Sequence, residues 1–205
     1  MHTANRIICV LLNVASVILL SSCDSLAYKF YGIKEIDGFD ETKYETFVSN
    51  IPNNVGYTSV IGTAAQFEEL VAFAGDTTTV KNLHQPVQLL YFQNGSLVSY
   101  HVNCAAPAKW RGLDWNHEGR FDTFPPKSAV PCEDTHLTFT SFEKAYGIDS
   151  GGKKTVLVVF WTTSFERVSS DAIKTAFNNI AENNCQDEVV IYLINNDETI
   201  SRLWQ

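Results

Sequence analysis

The stretch from Thr155 to Ile194 reads TVLVVFWTTSFERVSSDAIKTAFNNIAENNCQDEVVIYLI, and it sets the architecture of the chain. Residues 155–161 (TVLVVFW) form an apolar run with no polar alternation, the pattern of a strand covered on both faces. Residues 188–194 (EVVIYLI) repeat that pattern. Between them, Val168, Ala172, Ile173, Ala176, Phe177 and Ile180 recur at helical spacing and give a helix one apolar face. Thr163 and Glu166 have the spacing of a capping box, which predicts a helix start there. A strand, a helix and a strand in this order form a βαβ unit with a right-handed crossover. The reading is an α/β fold, a mixed sheet flanked by helices, with this βαβ unit at its C-terminal end.

Upstream, residues 87–92 and 96–102 are two strand patterns joined through Gln93-Asn94-Gly95. Asn-Gly tolerates positive φ at both positions, so a hairpin is predicted. Asp40 can cap a helix in which Tyr44, Phe47, Val48 and Ile51 recur, with Pro52 after it. Residues 57–61 read as a strand. Thr63 and Gln66 form a second capping-box pattern before the stripe Phe67, Leu70, Val71 and Ala74, which Gly75 closes. Leu137 and Phe139 alternate briefly, Phe142, Ala145 and Tyr146 suggest a short helix ending at Gly147, and Gly151-Gly152 marks a turn. Residues 103–133 lack periodicity and read as a long loop, a length that usually carries function.

The segment KKTVLVVFWTTSFERVSSDAIKTAFNNIAE resembles the first βαβ of thioredoxin-like proteins, which commonly read VVLVNFWATWCxxC there. Phe160-Trp161-Thr162-Thr163 matches the approach to the active site, and Phe165 and Val168 fall where the two redox cysteines would be. The stretch HQPVQLLYFQNG, residues 84–95, is similar to the family's cis-proline segment and its hairpin, with Pro86 as the cis-proline candidate. The two pieces occur in reversed order, which implies a permuted or rearranged thioredoxin-like domain. The resemblance further implies that Pro86 sits near Phe165. Disulfide exchange needs an activated thiolate, and that position offers none. A binding or structural role is therefore expected rather than catalysis.

The chain begins with a different signal. Arg6 precedes an apolar run, residues 7–20, that is shorter than the roughly 20 residues a spanning helix needs. Leu20-Ser21-Ser22-Cys23 resembles the bacterial lipobox. The resemblance implies a lipoprotein signal peptide over residues 1–22, diacylglycerol on the Cys23 thiol and a palmitate-type acyl chain on the new amine. Residues 23–34 would then be a lipidated tether and residues 35–205 a single domain. The domain would lie in the cell envelope, outside the cytoplasm, attached to a membrane through the lipid. The alternative is an ordinary signal peptide cut near Ala27. Asp24 resembles an inner-membrane retention signal of some bacteria.

With 15 basic and 23 acidic side chains the net charge is −8, which disfavours nucleic acid as a partner and leaves a protein or a small ligand. No phosphate loop, HExxH or GxSxG is present, and no cofactor is expected. Beyond Cys9 and Cys23, three cysteines remain. Cys104 and Cys132 flank the long loop and are expected to form a disulfide, with Cys185 free. Two other uses of these thiols stay open: redox chemistry at Cys104 and Cys132, or zinc held by His101, Cys104, Cys132 and His136. In the same loop Trp110, Trp115 and His117 either line a ligand face or pack beneath the loop as a satellite core. Asp114 and Glu118 do not by themselves make an acid/base pair.

Overall fold

The computed structural model describes residues 32–103, 108–109, 112–132 and 135–203. Cys23, Cys104 and Trp110 lie outside the described residues, as does the signal-peptide and acylation reading.

The first helix, α1 (Glu41–Ser49), starts where the Asp40 carboxylate accepts the Lys43 amide at 3.1 Å. That hydrogen bond holds the Asp40 carboxyl below its usual pKa. Strand β1 (Thr58–Ile61) follows, then α2 (Ala64–Ala74). Both halves of the α2 capping box form: Thr63 Oγ1 accepts the Gln66 amide at 3.3 Å, and Gln66 Oε1 accepts the Thr63 amide at 2.9 Å. Gly75 ends α2 at φ 73°, in the left-handed region where a side chain is disfavoured. A further short helix, α3 (Thr77–Leu83), escapes a periodicity reading because Thr77-Thr78-Thr79 is β-branched. Its one local signal is Asp76, which caps it through the Thr79 amide at 2.8 Å.

The predicted hairpin is present as β2 (Gln88–Gln93) and β3 (Ser96–Val102), with Asn94 and Gly95 at φ 50° and 82°. The long loop contains a two-stranded ribbon, β4 (Ala108–Lys109) and β5 (Gly112–Leu113), a 3₁₀ turn at His117–Gly119, and the edge strand β6 (Val130–Pro131). Then come α4 (Phe139–Tyr146), β7 (Thr155–Trp161), a 3₁₀ turn at Thr163–Phe165, α5 (Glu166–Glu182), β8 (Val189–Asn195) and α6 (Asp197–Leu203).

Six strands form one mixed sheet in the order β1-β8-β7-β2-β3-β6. β1, β8 and β7 are parallel, and β2, β3 and β6 continue antiparallel. The fold is therefore α/β, a thioredoxin-like mixed sheet flanked by helices and closed by the C-terminal βαβ unit. β7 is central, and its side chains alternate between two cores. Leu157, Val159 and Trp161 meet α1 and α5, while Val156, Val158 and Phe160 meet α2, α3 and α4. All six are at most 3% exposed, which accounts for an apolar run without polar alternation. Burying side chains of this size stabilises the fold by about 1.5–3 kcal/mol each.

Candidate functional site

The C-terminal ends of β7 and β8 are where an open α/β sheet exposes a crevice, and here they carry a cluster of buried polar groups. Thr162 and Thr163 leave β7, and Asp197 opens α6 after β8. Asp197 is 0% exposed, yet its carboxylate accepts three hydrogen bonds. They come from Thr162 Oγ1 at 2.6 Å, the Thr163 amide at 2.7 Å and Thr163 Oγ1 at 2.9 Å. The Ser169 hydroxyl donates to the Thr162 carbonyl at 2.9 Å and accepts the Thr162 amide at 3.2 Å. Burial is tolerated because the carboxylate is hydrogen-bonded by these donors.

This arrangement corrects the capping-box expectation at Thr163 and Glu166. The Thr163 hydroxyl turns to Asp197, and Thr162 instead accepts the Ser164 amide at 3.1 Å. α5 starts two residues later, with Phe165 at its N-cap position.

Phe165 and Val168, where the resemblance would place redox cysteines, are packing positions. Val168 is 1% exposed in the core, and its carbonyl accepts the Trp115 indole N–H at 3.2 Å. Phe165 is half-buried against the same core. The start of α5 is also covered from outside. The Lys34 amide donates to the Ser164 carbonyl at 2.9 Å, the Ser164 hydroxyl donates back to the Lys34 carbonyl, and the Lys34 ammonium pairs with Glu166. Beside this strap lies a cleft of about 290 Å³ whose walls include Ile36, Thr42, Thr46, Phe47 and Thr163. A groove of about 360 Å³ lies between α2 and α6, lined in part by Phe67, Val71, His84, Arg202 and Leu203.

Pro86 is not a cis-proline. Among the described residues the cis peptide bond is Phe124–Pro125, and Pro86 enters β2 through a trans peptide. The hairpin pairs with the central strand all the same, with Gln88 opposite Phe160 of β7.

The sheet separates His101 from Cys132 and His136, the three proposed zinc ligands among the described residues. A register shift between Tyr91 and Phe92 brings Tyr91 opposite Ser99 and Phe92 opposite Leu97, so Val98 is the extra residue of a bulge. After it, His101 faces the α5 side, stacked on Phe121 at 4.8 Å. Cys132 packs on the opposite side, with the core around Leu137 and Phe142. His136 also lies there, against Gly75. Among the described residues no group of three His, Cys, Asp or Glu side chains is placed to hold a metal ion.

The His101 ring is instead a structural link. Ser128 donates its hydroxyl to the Arg120 carbonyl at 3.0 Å, so its oxygen accepts from His101 Nε2 at 3.1 Å. Nδ1 then accepts from the Tyr91 hydroxyl at 3.4 Å. Burial pushes the His101 pKa down to about 4.

Trp115 is 5% exposed and belongs to the core, so it presents no ring to a ligand; His117 is half-exposed, 3.5 Å from both Asp114 and Glu118. Cys132 and Cys185 carry free thiols. Burial first, and then the Asp76 charge, raises the Cys132 pKa; burial and Glu188 raise that of Cys185. Neither is an activated nucleophile.

Asp197, Ser169 and the Lys34 strap were not singled out from the sequence. Asn195-Asn196-Asp197 after a buried strand was the available signal, since polar residues there end the strand and can cap a helix that starts next. Comparison with protein families, with characterised proteins and with solved structures finds no match to this chain.

Proposed function

We propose that this chain is a lipid-anchored bacterial envelope protein whose thioredoxin-like domain is redox-inactive and serves in binding. The observation that carries the reading is the chemistry at the start of α5. Phe165 and Val168 pack into the core there, and a closed hydroxyl–carboxylate cluster occupies the strand ends. Neither group exchanges disulfides, and the described thiols have raised pKa values. The anchor rests on Leu20-Ser21-Ser22-Cys23 behind an apolar run, and the acidic charge argues for a protein or ligand partner over nucleic acid.

The test has two arms. Expression with a labelled palmitate should give a labelled, membrane-bound chain, and Cys23→Ala should lose both label and membrane attachment. The purified protein, reduced beforehand, should not accelerate insulin reduction. Robust turnover abolished by Cys104→Ser would favour redox chemistry at Cys104 and Cys132 instead. Non-reducing peptide mapping then reports whether those two cysteines form a bridge in the mature protein.

A further inference from the structure

The segment Gly32–Ile36 lies across the start of α5, and the way it is held suggests more than a spacer. Lys34 engages Ser164 through both its main-chain groups, the amide meeting the Ser164 carbonyl and the carbonyl meeting the Ser164 hydroxyl. Its ammonium meets the Glu166 carboxylate. Gly32 approaches the Arg167 guanidinium so closely that a methyl group on it would lie 3.4 Å from the guanidinium carbon. The underside is well formed: Ser164 is 0% exposed beneath the strap.

The strap itself is weakly fixed. None of its residues is buried, and the Lys34–Glu166 pair is more than half exposed on both sides, at 61% and 51%. Contacts of that kind open locally without unfolding the domain. The strap also fits poorly. Ile36 reaches the cleft between α1 and the 3₁₀ turn but leaves about 290 Å³ of it unfilled, enough for an aromatic side chain.

We propose that Gly32–Ile36 is a displaceable strap, and that the surface beneath it docks an extended segment of a partner protein bearing a lysine two residues before a large aromatic side chain. The proposal rests on the binding role argued above and names the chemistry of the partner. The lysine reproduces the pair with Glu166. The aromatic side chain fills the space that Ile36 leaves beside Phe47. Because the strap continues the segment after Cys23, displacement also lengthens the free tether that leads to the domain.

Fluorescence anisotropy on the purified full chain tests this with synthetic peptides. One is GIKEIDGFD, residues 32–40; the second carries Ile36→Trp; the third adds Lys34→Glu to the second. The tryptophan peptide should bind about tenfold more tightly than the native one, and the Lys34→Glu peptide should lose that gain. In the full chain, Lys34→Glu loosens the internal competitor and should strengthen binding of the tryptophan peptide about tenfold. Glu166→Lys should weaken it. Hydrogen exchange at the Lys34 amide should speed up when the peptide binds. Equal binding to wild type and to the Lys34→Glu chain, or none to either, overturns the strap proposal. Insulin turnover is read separately, so failure of the non-redox reading is distinguishable from failure of the strap.

Discussion

Two of the polar clusters buried on this sheet are held in different ways. At the ends of β7 and β8, Asp197 gathers two hydroxyls and an amide at 2.6–2.9 Å, all from the adjoining Thr162 and Thr163. Under the long loop, His101 links Tyr91 to Ser128 at 3.4 and 3.1 Å, and the three residues stand on β2, β3 and the loop. The first cluster satisfies a strong acceptor with short bonds from two neighbouring residues. The second spans three segments with longer bonds around a titratable ring. A buried polar network with filled acceptors rigidifies its surroundings, whereas a buried base ties stability to pH.

The largest expected effect belongs to the Asp197 cluster. Asp197→Ala removes the shared acceptor and leaves buried donors unpaired, which should cost about 3–4 kcal/mol. Asp197→Asn keeps one acceptor oxygen and should cost about half as much. Urea unfolding measures both. Equal stability of Asp197→Ala and wild type would show that the cluster contributes little.

The His101 link should reveal itself through pH. The folded protein takes up the His101 proton near pH 4, whereas the unfolded chain does so near 6.5. Between those values the unfolded state holds more protons, so stability is full above 6.5, declines as pH falls and levels off below 4. The difference amounts to about 3 kcal/mol. Subtracting the pH profile of a His101→Gln variant isolates it from the carboxylates. An imidazole that titrates near 6.5 by NMR in the folded protein would contradict the picture.

Trp115 joins the loop to α5 through one hydrogen bond, to the Val168 carbonyl. Trp115→Phe keeps most of the buried area and loses that bond, so a cost of about 1 kcal/mol is expected, visible as a small drop in thermal midpoint. A cost several times larger would mean that the indole's packing, not its N–H, secures the loop. At the surface, Lys34→Gln should change stability by less than about 1 kcal/mol, because the pair it breaks is exposed. Faster exchange at the Lys34 amide with an unchanged unfolding midpoint would separate the strap from both buried clusters.

Several elements of the fold are legible in the chain because their causes are local. The apolar runs at 155–161 and 188–194 needed no knowledge of neighbours to read as doubly covered strands. Asp40, Thr63 with Gln66, Asn94-Gly95 and Gly147 act within a few residues of themselves, and each does in the structure what its spacing predicts. The absence of cysteine at 165 and 168 is equally direct.

Other features depended on partners distant in sequence. Thr163 has the spacing of a cap, but the buried Asp197 carboxylate, 34 residues on, binds its hydroxyl and amide more strongly than a cap would. The bulge at Val98 sets which face His101 takes, and so sends it away from Cys132, although the two lie on neighbouring stretches of sheet. Trp115 is a core residue because α5 passes above it, and nothing in its own loop says so. Pro86 sits in a cis-proline-like stretch with a trans peptide. Periodicity and capping are short-range properties of the backbone. Which polar groups meet, and which face a side chain takes after a bulge, depends on the sum of contacts that only the assembled sheet brings together.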